Sequence, residues 1–329
     1  MALNSAKTNI SVVHSRVLRV LHPKYLHGYS GSQMDELGER ARRVVENMNK
    51  GGLDVSRQDL NGLMNSFVRN NDATDQIWQF ATLGGITRDV TNYNCYINAK
   101  LYGKQYERAF EVYREMQGAG IAGNTYTSTC LIRLYGATGD LIAARRVFDG
   151  VLSELGRGGP NVHVYNAMLD VLGTNGLMEE MRDLFLRMVG LADYSGGDVS
   201  GFGKDECRGG LERMGAIAPD RSTFHVLAKW HAQYWDLGTA KKYVELMAGG
   251  YGIQPVAKTF KVMVNVKTAM RDFQGCCELG VMMAERYDIT PPGHIMRALE
   301  RAGKVRKDME DKIRESEEQA SSLLSAFVK

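Results

Sequence analysis

The sequence predicts an all-α fold, an α-solenoid of stacked helix-turn-helix repeats of about 35 residues that wind into a superhelical array. Pairs of amphipathic segments, with apolar residues at helical spacing, recur along the chain at a nearly constant interval. Only six of the 329 residues are proline, so long helices are permitted. Glycines stand where one helix would end and the next begin.

The clearest repeat shows how a pair of helices would form. Tyr93, Ile97 and Leu101 fall on one face of a first helix, which Gly103 would end. The apolar stripe of the second helix is formed by Ala109, Val112, Tyr113 and Met116. Because one such hairpin cannot bury its own apolar face, neighbouring hairpins must stack on each other.

Equivalent residues recur in six repeats, at intervals of 33, 35, 37, 59 and 36 residues. They are Leu60, Tyr93, Ser128, Tyr165, Phe224 and Phe260. The array therefore divides into repeats 57–89, 90–124, 125–161, 162–220, 221–256 and 257–292. The interval of 59 residues holds one repeat and an insertion, residues 189–215, whose eight glycines predict a flexible surface loop.

The two ends of the chain differ in composition from the array. Residues 1–34 contain no Asp or Glu and are basic and rich in serine, which is typical of an organelle transit segment; an ordinary basic helix is the alternative. Residues 35–56 are expected to form an N-terminal capping helix. Residues 293–329 are expected to form a charged C-terminal helix that either caps the array or binds a partner.

Several function classes are excluded by motifs that the sequence lacks. No stretch approaches the 18 consecutive apolar residues of a transmembrane helix. The five cysteines form no CxxC pair and suit reduced, buried thiols. A zinc deaminase would need an HxE motif with a downstream CxxC, and neither occurs. We therefore expect no enzyme activity, no cofactor, no metal site, no membrane contact and no small-molecule substrate.

Short motifs within the repeats point to one family of helical repeats. Tyr93-Asn94 and Tyr165-Asn166 open first helices, residues 107–116 and 139–149 form second helices, and Gly120-Ile121 forms the following turn. In these motifs the sequence resembles the pentatricopeptide repeat family, over roughly residues 57–290. The resemblance implies a groove that binds single-stranded RNA, with one base per repeat.

The resemblance also implies which residues would select the bases. In this family they are the residue after the opening aromatic and the last residue before the next repeat. The four implied base-reading pairs are Asn61 with Asp89, Asn94 with Asn124, Thr129 with Asn161, and Asn166 with Asp220. By the family's pairing preferences they imply U, pyrimidine, A, U, read 5′ to 3′ from the N- to the C-terminus. The alternative is that these side chains are simply helix caps and turn residues.

Further residues are candidates for contacts with base faces and phosphates. By the resemblance, Tyr126 and His163 stand where a base is stacked, and Arg69 stands where a phosphate is bound.

The fifth and sixth repeats differ from the others at the base-selecting positions. There they carry His225, Val256 and Lys261, which are not expected to select a base. Residues 221–286 have a net charge of +4, which suits phosphate contacts without base recognition. The candidates are Lys258, Lys261, Lys267 and Arg271.

Three hypotheses for function follow. The first is a non-catalytic RNA-binding protein of the mitochondrion, or alternatively the plastid, which acts in processing, stability or translation of a transcript. The second is a structural subunit of a mitochondrial ribosome or another large ribonucleoprotein, in contact with ribosomal RNA and other protein subunits. The third is an adaptor like a tetratricopeptide array, which binds a protein partner in its groove.

Overall fold

A computed structural model describes residues 57–83, 85–153, 160–192, 204–213 and 215–290, with residues 293, 296, 297 and 300. Within this part of the chain the regular structure consists of thirteen α-helices and one π-helical turn. The predicted segments 1–34 and 35–56 lie outside it, as does most of 293–329. The described residues divide after Met168 into two compact units.

The first unit is built from helical hairpins. Its helices are α1 (Arg57–Ser66), α2 (Asn71–Leu83), α3 (Val90–Tyr102), α4 (Tyr106–Gly118), α5 (Thr125–Thr138), α6 (Leu141–Ser153) and the start of α7 (Val162–Thr174). Each first helix packs on the second helix of its own hairpin, and α1 packs on α3 as α3 packs on α5. The predicted α-solenoid of stacked hairpins is confirmed.

Apolar and aromatic side chains form a continuous core in this unit. Tyr93 and Ile97 of α3 are buried together with Met116 of α4. Trp78 of α2 packs edge-on against Tyr93, with 5.2 Å between ring centroids, and stacks on Tyr96 at 4.3 Å. Each aromatic pair of this kind contributes about 0.5–1.5 kcal/mol beyond the burial of its area. The core therefore joins one hairpin to the next, as a repeat array requires.

The first helices begin at polar side chains that accept hydrogen bonds from otherwise unpaired N–H groups. Asp89, Asn124 and Asp220 each accept from the backbone N–H three residues later, at 2.8–3.0 Å. The side chain of the third helical residue in turn accepts a hydrogen bond from the backbone N–H of the cap, which completes a capping box. Each cap stabilises its helix by about 1 kcal/mol.

The turn between the two helices of a hairpin uses a residue in the left-handed region. Five such residues have φ between 57° and 82°, namely Lys104, Gly139, Gly176, Trp235 and Arg271. Glycine adopts this conformation freely, whereas other L-residues lose about 1–2 kcal/mol. Three of these five turns therefore contain backbone strain that glycine would relieve.

The second unit continues from the end of α7. Its helices are α8 (Met178–Met188), α9 (Lys204–Leu211), α10 (Arg221–Gln233), α11 (Leu237–Gly249), α12 (Ala257–Ala269) and α13 (Phe273–Val281), followed by the π-helical turn Met282–Arg286. Phe185 meets Phe224 and Tyr243 edge-on, with 5.8 Å between ring centroids in each pair. α10 packs on both α11 and α12, so the hairpin arrangement recurs here.

Part of the insertion is helical, and the loop predicted for residues 189–215 is wrong over Lys204–Leu211. Cys207 of this helix is buried. A Cβ atom on Gly210 would lie 2.5 Å from the carbonyl oxygen of Val189. The glycine thus permits close packing against the end of α8 and does not mark a loop. Residues 193–203 of the insertion lie outside the described residues.

Candidate nucleic-acid interface

The candidate base-reading residues of the first unit occupy one repeated position on its first helices. Asn61, Asn94 and Thr129 are each the fifth residue of their helix. The second members of the predicted pairs stand immediately before the first helix of the next hairpin. Asp89 precedes α3 and Asn124 precedes α5. Because α1, α3 and α5 pack side by side, these positions recur along one face.

The structure brings the second pair into direct contact. Asn94 is 2% exposed, and its Nδ2 donates a hydrogen bond to Oδ1 of Asn124 at 3.1 Å. Its Oδ1 accepts a hydrogen bond from the Thr127 hydroxyl at 2.9 Å. Both polar atoms of the Asn94 amide are therefore engaged, and its orientation is fixed by its neighbours. Asn124 itself is exposed.

The first pair is connected through a third side chain. Asn92 donates from Nδ2 to Oδ1 of Asn61 at 2.6 Å, and its Oδ1 accepts from the backbone N–H of Asp89 at 3.0 Å. Oδ1 of Asp89 accepts from the backbone N–H groups of Thr91 and Asn92, both at 3.0 Å. The side-chain amide of Asn92 thus bonds Asn61 through its nitrogen and the backbone of Asp89 through its oxygen.

The third pair is arranged differently. The Thr129 hydroxyl donates to the carbonyl oxygen of Thr125 in its own helix, at 2.9 Å. Oδ1 of Asn161 accepts from the backbone N–H groups of His163 and Val164, at 3.0 and 3.1 Å. Among the described residues, the hydrogen bonds of each partner therefore stay within its own helix or helix cap.

The fourth pair has one member in each unit. Asn166 is buried on α7 in the first unit. Asp220 caps α10 in the second unit, where it accepts from the backbone N–H of Thr223 at 2.8 Å and from its hydroxyl at 3.0 Å. The capping alternative is therefore confirmed for Asp220, as it is for Asp89, Asn124 and Asn161. A cap uses one side-chain oxygen and leaves other atoms for a ligand.

A row of cationic and aromatic side chains lies along the first helices, with Arg69 in the turn that follows α1. Tyr102 is 44% exposed, and the guanidinium carbons of Arg69 and Arg133 lie 5.7 and 5.9 Å from its ring centroid. Tyr126 stands two helical turns before Arg133 on α5 and is 48% exposed. Partial burial raises the pKa of Tyr126 to about 12, so its phenol is neutral at physiological pH. His163, the other stacking candidate, is exposed at the start of α7.

The candidate phosphate ligands of the second unit divide into exposed and paired cations. Lys258 and Lys261 are exposed on α12, and Arg271 is exposed in the following turn. Lys267 instead forms an ion pair with Asp272, the cap of α13, which lowers the pKa of that carboxyl. The ammonium of Lys267 thus stabilises the hairpin turn and is poorly placed to bind a phosphate.

Two other titratable side chains of this unit, Lys229 and His225, have neighbours within the protein. Lys229 pairs with Asp170 at 2.9 Å and lies 3.9 Å from the ring centroid of Trp230. Burial, aided by the charges of Lys258 and Lys229, lowers the pKa of His225 to about 4, so its imidazole is neutral at neutral pH. A neutral, half-buried ring at this base-selecting position adds no charge for an RNA.

Other classes of site receive no support from the part of the chain that is described. Its residues include no group of His, Cys, Asp or Glu able to hold a metal ion. None of its helices has the length and apolar character needed to span a membrane. All five cysteines are free thiols, four of them buried, and burial raises the pKa of Cys130 to about 12.

Comparison with known proteins identifies the repeat. A model described as the PPR repeat family matches residues 88–149, and a second model, PPR repeat, matches residues 163–191. PPR stands for pentatricopeptide repeat. The chloroplastic pentatricopeptide repeat-containing protein At3g09650 of Arabidopsis thaliana is 26% identical over 159 residues, 46% of this chain and 20% of its own length.

The chain is a pentatricopeptide repeat protein. A further relative, the putative pentatricopeptide repeat-containing protein At1g10330 of Arabidopsis thaliana, is 35% identical over 69 residues, 21% of this chain and 14% of its own. The matched part of this pentatricopeptide repeat protein thus spans a fifth or less of the length of these curated relatives.

Solved structures agree on the fold. PPR10 of maize, in a crystal structure with an 18-nt psaJ RNA element, superposes with a TM-score of 0.54 at 15% identity. The match covers 77% of this pentatricopeptide repeat protein and 40% of the PPR10 chain. At this identity the likeness establishes the helical fold alone.

Sequence reasoning missed two groups of residues in this pentatricopeptide repeat protein. The place of Tyr102 beside Arg69 and Arg133 has no local signal, because the three side chains come from three different hairpins. Spacing offered one signal, since Tyr126 and Arg133 lie seven residues apart on one helix face. The role of Thr127, the third residue of its helix, has no local signal, because its partner Asn94 lies 33 residues earlier in the chain.

Proposed function

We propose that this pentatricopeptide repeat protein binds single-stranded RNA along the first helices of its first unit, without catalysis. It would act in the processing, stability or translation of an organellar transcript. The observation that carries the proposal is the direct contact between Asn94 and Asn124, whose amide groups meet at 3.1 Å. These two residues stand near the start and at the end of one repeat, 90–124, and form one hydrogen-bonding surface of the size of a base edge.

The hydrogen bonds already made define what the first two pairs would offer to a base. Within the described chain the side-chain hydrogen bonds of Asn124 all use Oδ1, which leaves its Nδ2 as a donor. Asn61 likewise uses Oδ1, while Asp89 uses only one of its two carboxylate oxygens. A donor beside an acceptor complements the O4 and N3–H of uracil. Donors alone complement the carbonyl oxygen and ring nitrogen of cytosine.

The row formed by Arg69, Tyr102 and Arg133 would bind the RNA backbone. Guanidinium groups bind phosphates through two parallel hydrogen bonds, and the tyrosine ring between them limits their freedom. Tyr126 is exposed and neutral, so a base can stack on its ring. Base selection and phosphate binding would thus occupy neighbouring positions on the same helices.

A structural role in a mitochondrial ribosome or another ribonucleoprotein is the second candidate. It is favoured by the exposed Lys258 and Lys261, which accompany base-selecting positions that carry His225 and Val256. Cations without a base-selecting pair contact phosphates regardless of sequence. In that case ribosomal RNA and neighbouring protein subunits would be the partners.

The test is a fluorescence-anisotropy titration of the full chain with short synthetic single-stranded RNAs. One RNA carries U-C-A-U, a second carries the same bases scrambled, and both are measured across a salt series. We expect the first to bind more tightly, and Asn94→Ala or Thr129→Ala to remove the difference. Asn265→Ala, an exposed asparagine on α12, is the matched control and should retain it.

Each other outcome selects a different function. Weak, salt-sensitive binding with no preference would contradict base selection and favour the ribonucleoprotein subunit. No binding to any RNA would favour the tetratricopeptide-like adaptor.

An organellar location is part of the proposal, with the mitochondrion first and the plastid as the alternative. One relative is named as chloroplastic, which favours the plastid. A fluorescent protein fused after Lys329 would be imaged in plant cells with markers for both organelles. Diffuse fluorescence outside both would contradict an organellar role.

A further inference from the structure

The third residue is buried in each of the five first helices that follow α1. In five consecutive first helices these residues are Asn92, Thr127, Val164, Thr223 and Thr259. All are nearly or fully inaccessible to solvent, yet four of the five are polar. A buried polar side chain is costly unless it is hydrogen-bonded, so its partners indicate its role.

Thr127 connects both members of the second base-reading pair. Its hydroxyl donates to Oδ1 of Asn94 at 2.9 Å and accepts from the backbone N–H of Asn124 at 3.0 Å. A hydroxyl has a single proton, and two acceptors lie within reach of it, Oδ1 of Asn94 at 2.9 Å and Oδ1 of Asn124 at 3.2 Å. The shorter distance assigns the proton to Asn94. Because Oδ1 of Asn94 is thereby engaged, its Nδ2 must face Asn124, where it donates at 3.1 Å.

Asn92 makes the same connection for the first pair. Its Nδ2 donates to Oδ1 of Asn61, and its Oδ1 accepts from the backbone N–H of Asp89. The amide nitrogen of Asn61 is therefore turned away from Asn92. In both pairs one buried side chain from the next hairpin occupies Oδ1 of the base-reading amide, so that this amide has only N–H hydrogens to offer a ligand.

The third pair lacks this connection. The third residue of α7 is Val164, whose side chain has no hydrogen-bonding atom. Thr129 donates its hydroxyl hydrogen to the carbonyl oxygen of Thr125 in its own helix, and among the described residues Asn161 accepts only from backbone N–H groups. Nothing equivalent to the Thr127 hydroxyl therefore fixes the direction of the Thr129 side chain.

We infer that Asn92 and Thr127 are positioning residues that determine base selectivity, each by fixing the amide orientation of the base-reading residue in the preceding hairpin. This inference rests on the proposed RNA binding. An amide held in one orientation presents only donors or only acceptors, and a base that mismatches them leaves polar groups unpaired. The first and second positions thus discriminate bases more strongly than the third.

The test measures selectivity base by base. The Kd of the full chain is determined by anisotropy for RNAs carrying U-C-A-U and for the same RNAs with the second or the third base replaced. Selectivity at a position is the ratio of the two Kd values. Wild type, Thr127→Val and Thr127→Ser are compared, with Thr259→Val as a matched control from a repeat that carries no base-reading pair.

Thr127→Val should lower selectivity at the second base about fivefold, the effect of one hydrogen bond, and leave the third base unchanged. Thr127→Ser restores the hydroxyl and should restore selectivity, and Thr259→Val should change neither ratio. A merely structural role would weaken binding to every RNA alike. Unchanged selectivity in Thr127→Val would overturn the inference while the proposed function stood. Absence of any base preference in the wild type would overturn both.

Two further measurements do not depend on how well Thr127→Val folds. Val164→Thr supplies the missing hydroxyl and should raise selectivity at the third base about threefold; no gain would count against the inference. In the RNA-free wild type, the side-chain amide protons of Asn94 should give two resolved NMR resonances that are protected from exchange. In Thr127→Ser these two resonances should remain resolved and protected. Rapid exchange of the Asn94 amide protons in the wild type would contradict a fixed orientation of that amide.

Discussion

Two pairs of hairpins share one backbone design and differ in chemistry. Counted along the chain, they are the second and third hairpins, in the first unit, and the fifth and sixth, in the second unit. Both regions have buried third residues in their first helices and a left-handed residue in their turns. At the base-selecting positions, however, the first has the joined pair Asn94 and Asn124, whereas the second has His225 with Val256.

The difference shows that the packing residues and the candidate ligand residues occupy separate repeat positions. Tyr93 and Phe224 are the fourth residues of their first helices, and both are buried in a core. The neighbouring fifth residues, Asn94 and His225, differ without altering the helices that carry them. Packing constrains the fourth position closely. The fifth faces the next hairpin or the groove, so it can vary with the ligand.

The largest expected effect tests the shared core. Tyr93→Ala and Phe224→Ala should each lower the free energy of unfolding by about 3–5 kcal/mol, because each leaves a cavity in its unit. Urea unfolding followed by circular dichroism measures this. Ile142→Ala, at a side chain that is 73% exposed, should stay within about 0.5 kcal/mol of wild type. If the free energy of unfolding fell only slightly in one of the two core variants, the fourth position would not have the same packing role in both units.

The second prediction tests whether the second unit contributes to RNA binding only through its positive charge. Lys258→Gln combined with Lys261→Gln should weaken RNA binding about tenfold at low salt, equally for all sequences, and lower the salt slope by about 1.4. Anisotropy titrations over a salt series measure both quantities. Lys241→Gln with Lys242→Gln, on the second helix α11, is the control. A sequence-dependent loss in the first variant would assign base selection to the second unit as well.

A third prediction exchanges the capping chemistry of the two regions. Val256 precedes α12 without a side-chain acceptor for its first N–H groups, whereas Asp220 caps α10. Val256→Asp should raise the free energy of unfolding by about 1 kcal/mol, and Asp220→Ala should lower it by a similar amount. Thermal melts above pH 6 give both values, since the aspartate must be ionised to cap fully. Destabilisation by Val256→Asp would show that the valine is required for packing.

The smallest expected effect concerns the hairpin turns. Arg271→Gly should stabilise the protein by about 0.5 kcal/mol, because relief of left-handed strain outweighs the added backbone entropy of the unfolded glycine. Gly139→Ala, at φ 82°, should have the opposite sign and cost about 1 kcal/mol. Differential scanning calorimetry resolves both shifts. A loss of stability in Arg271→Gly would mean that the arginine side chain contributes contacts of its own.

Local patterns were sufficient for the helices and their family, and one local pattern misled. The glycines at 209 and 210 predicted a loop, but they lie in α9, where Gly210 allows close approach to Val189. Glycine is poor in a helix on its own propensity, and here tertiary packing overrides that preference. The same residue type therefore indicates a turn at Gly139 and a packing contact at Gly210.

The sequence by itself determined the α-solenoid, because its apolar spacing and turn residues act over one or two helical turns. It also named the polar side chains that stand before the helices, since a cap depends on residues within three positions. Only the tertiary structure decided that Thr127 joins Asn94 to Asn124 and that Arg69 and Arg133 flank Tyr102. The bond from Thr127 to Asn94 spans 33 residues. Contacts at that separation depend on how adjacent hairpins stack, and no local pattern encodes which side chains then meet.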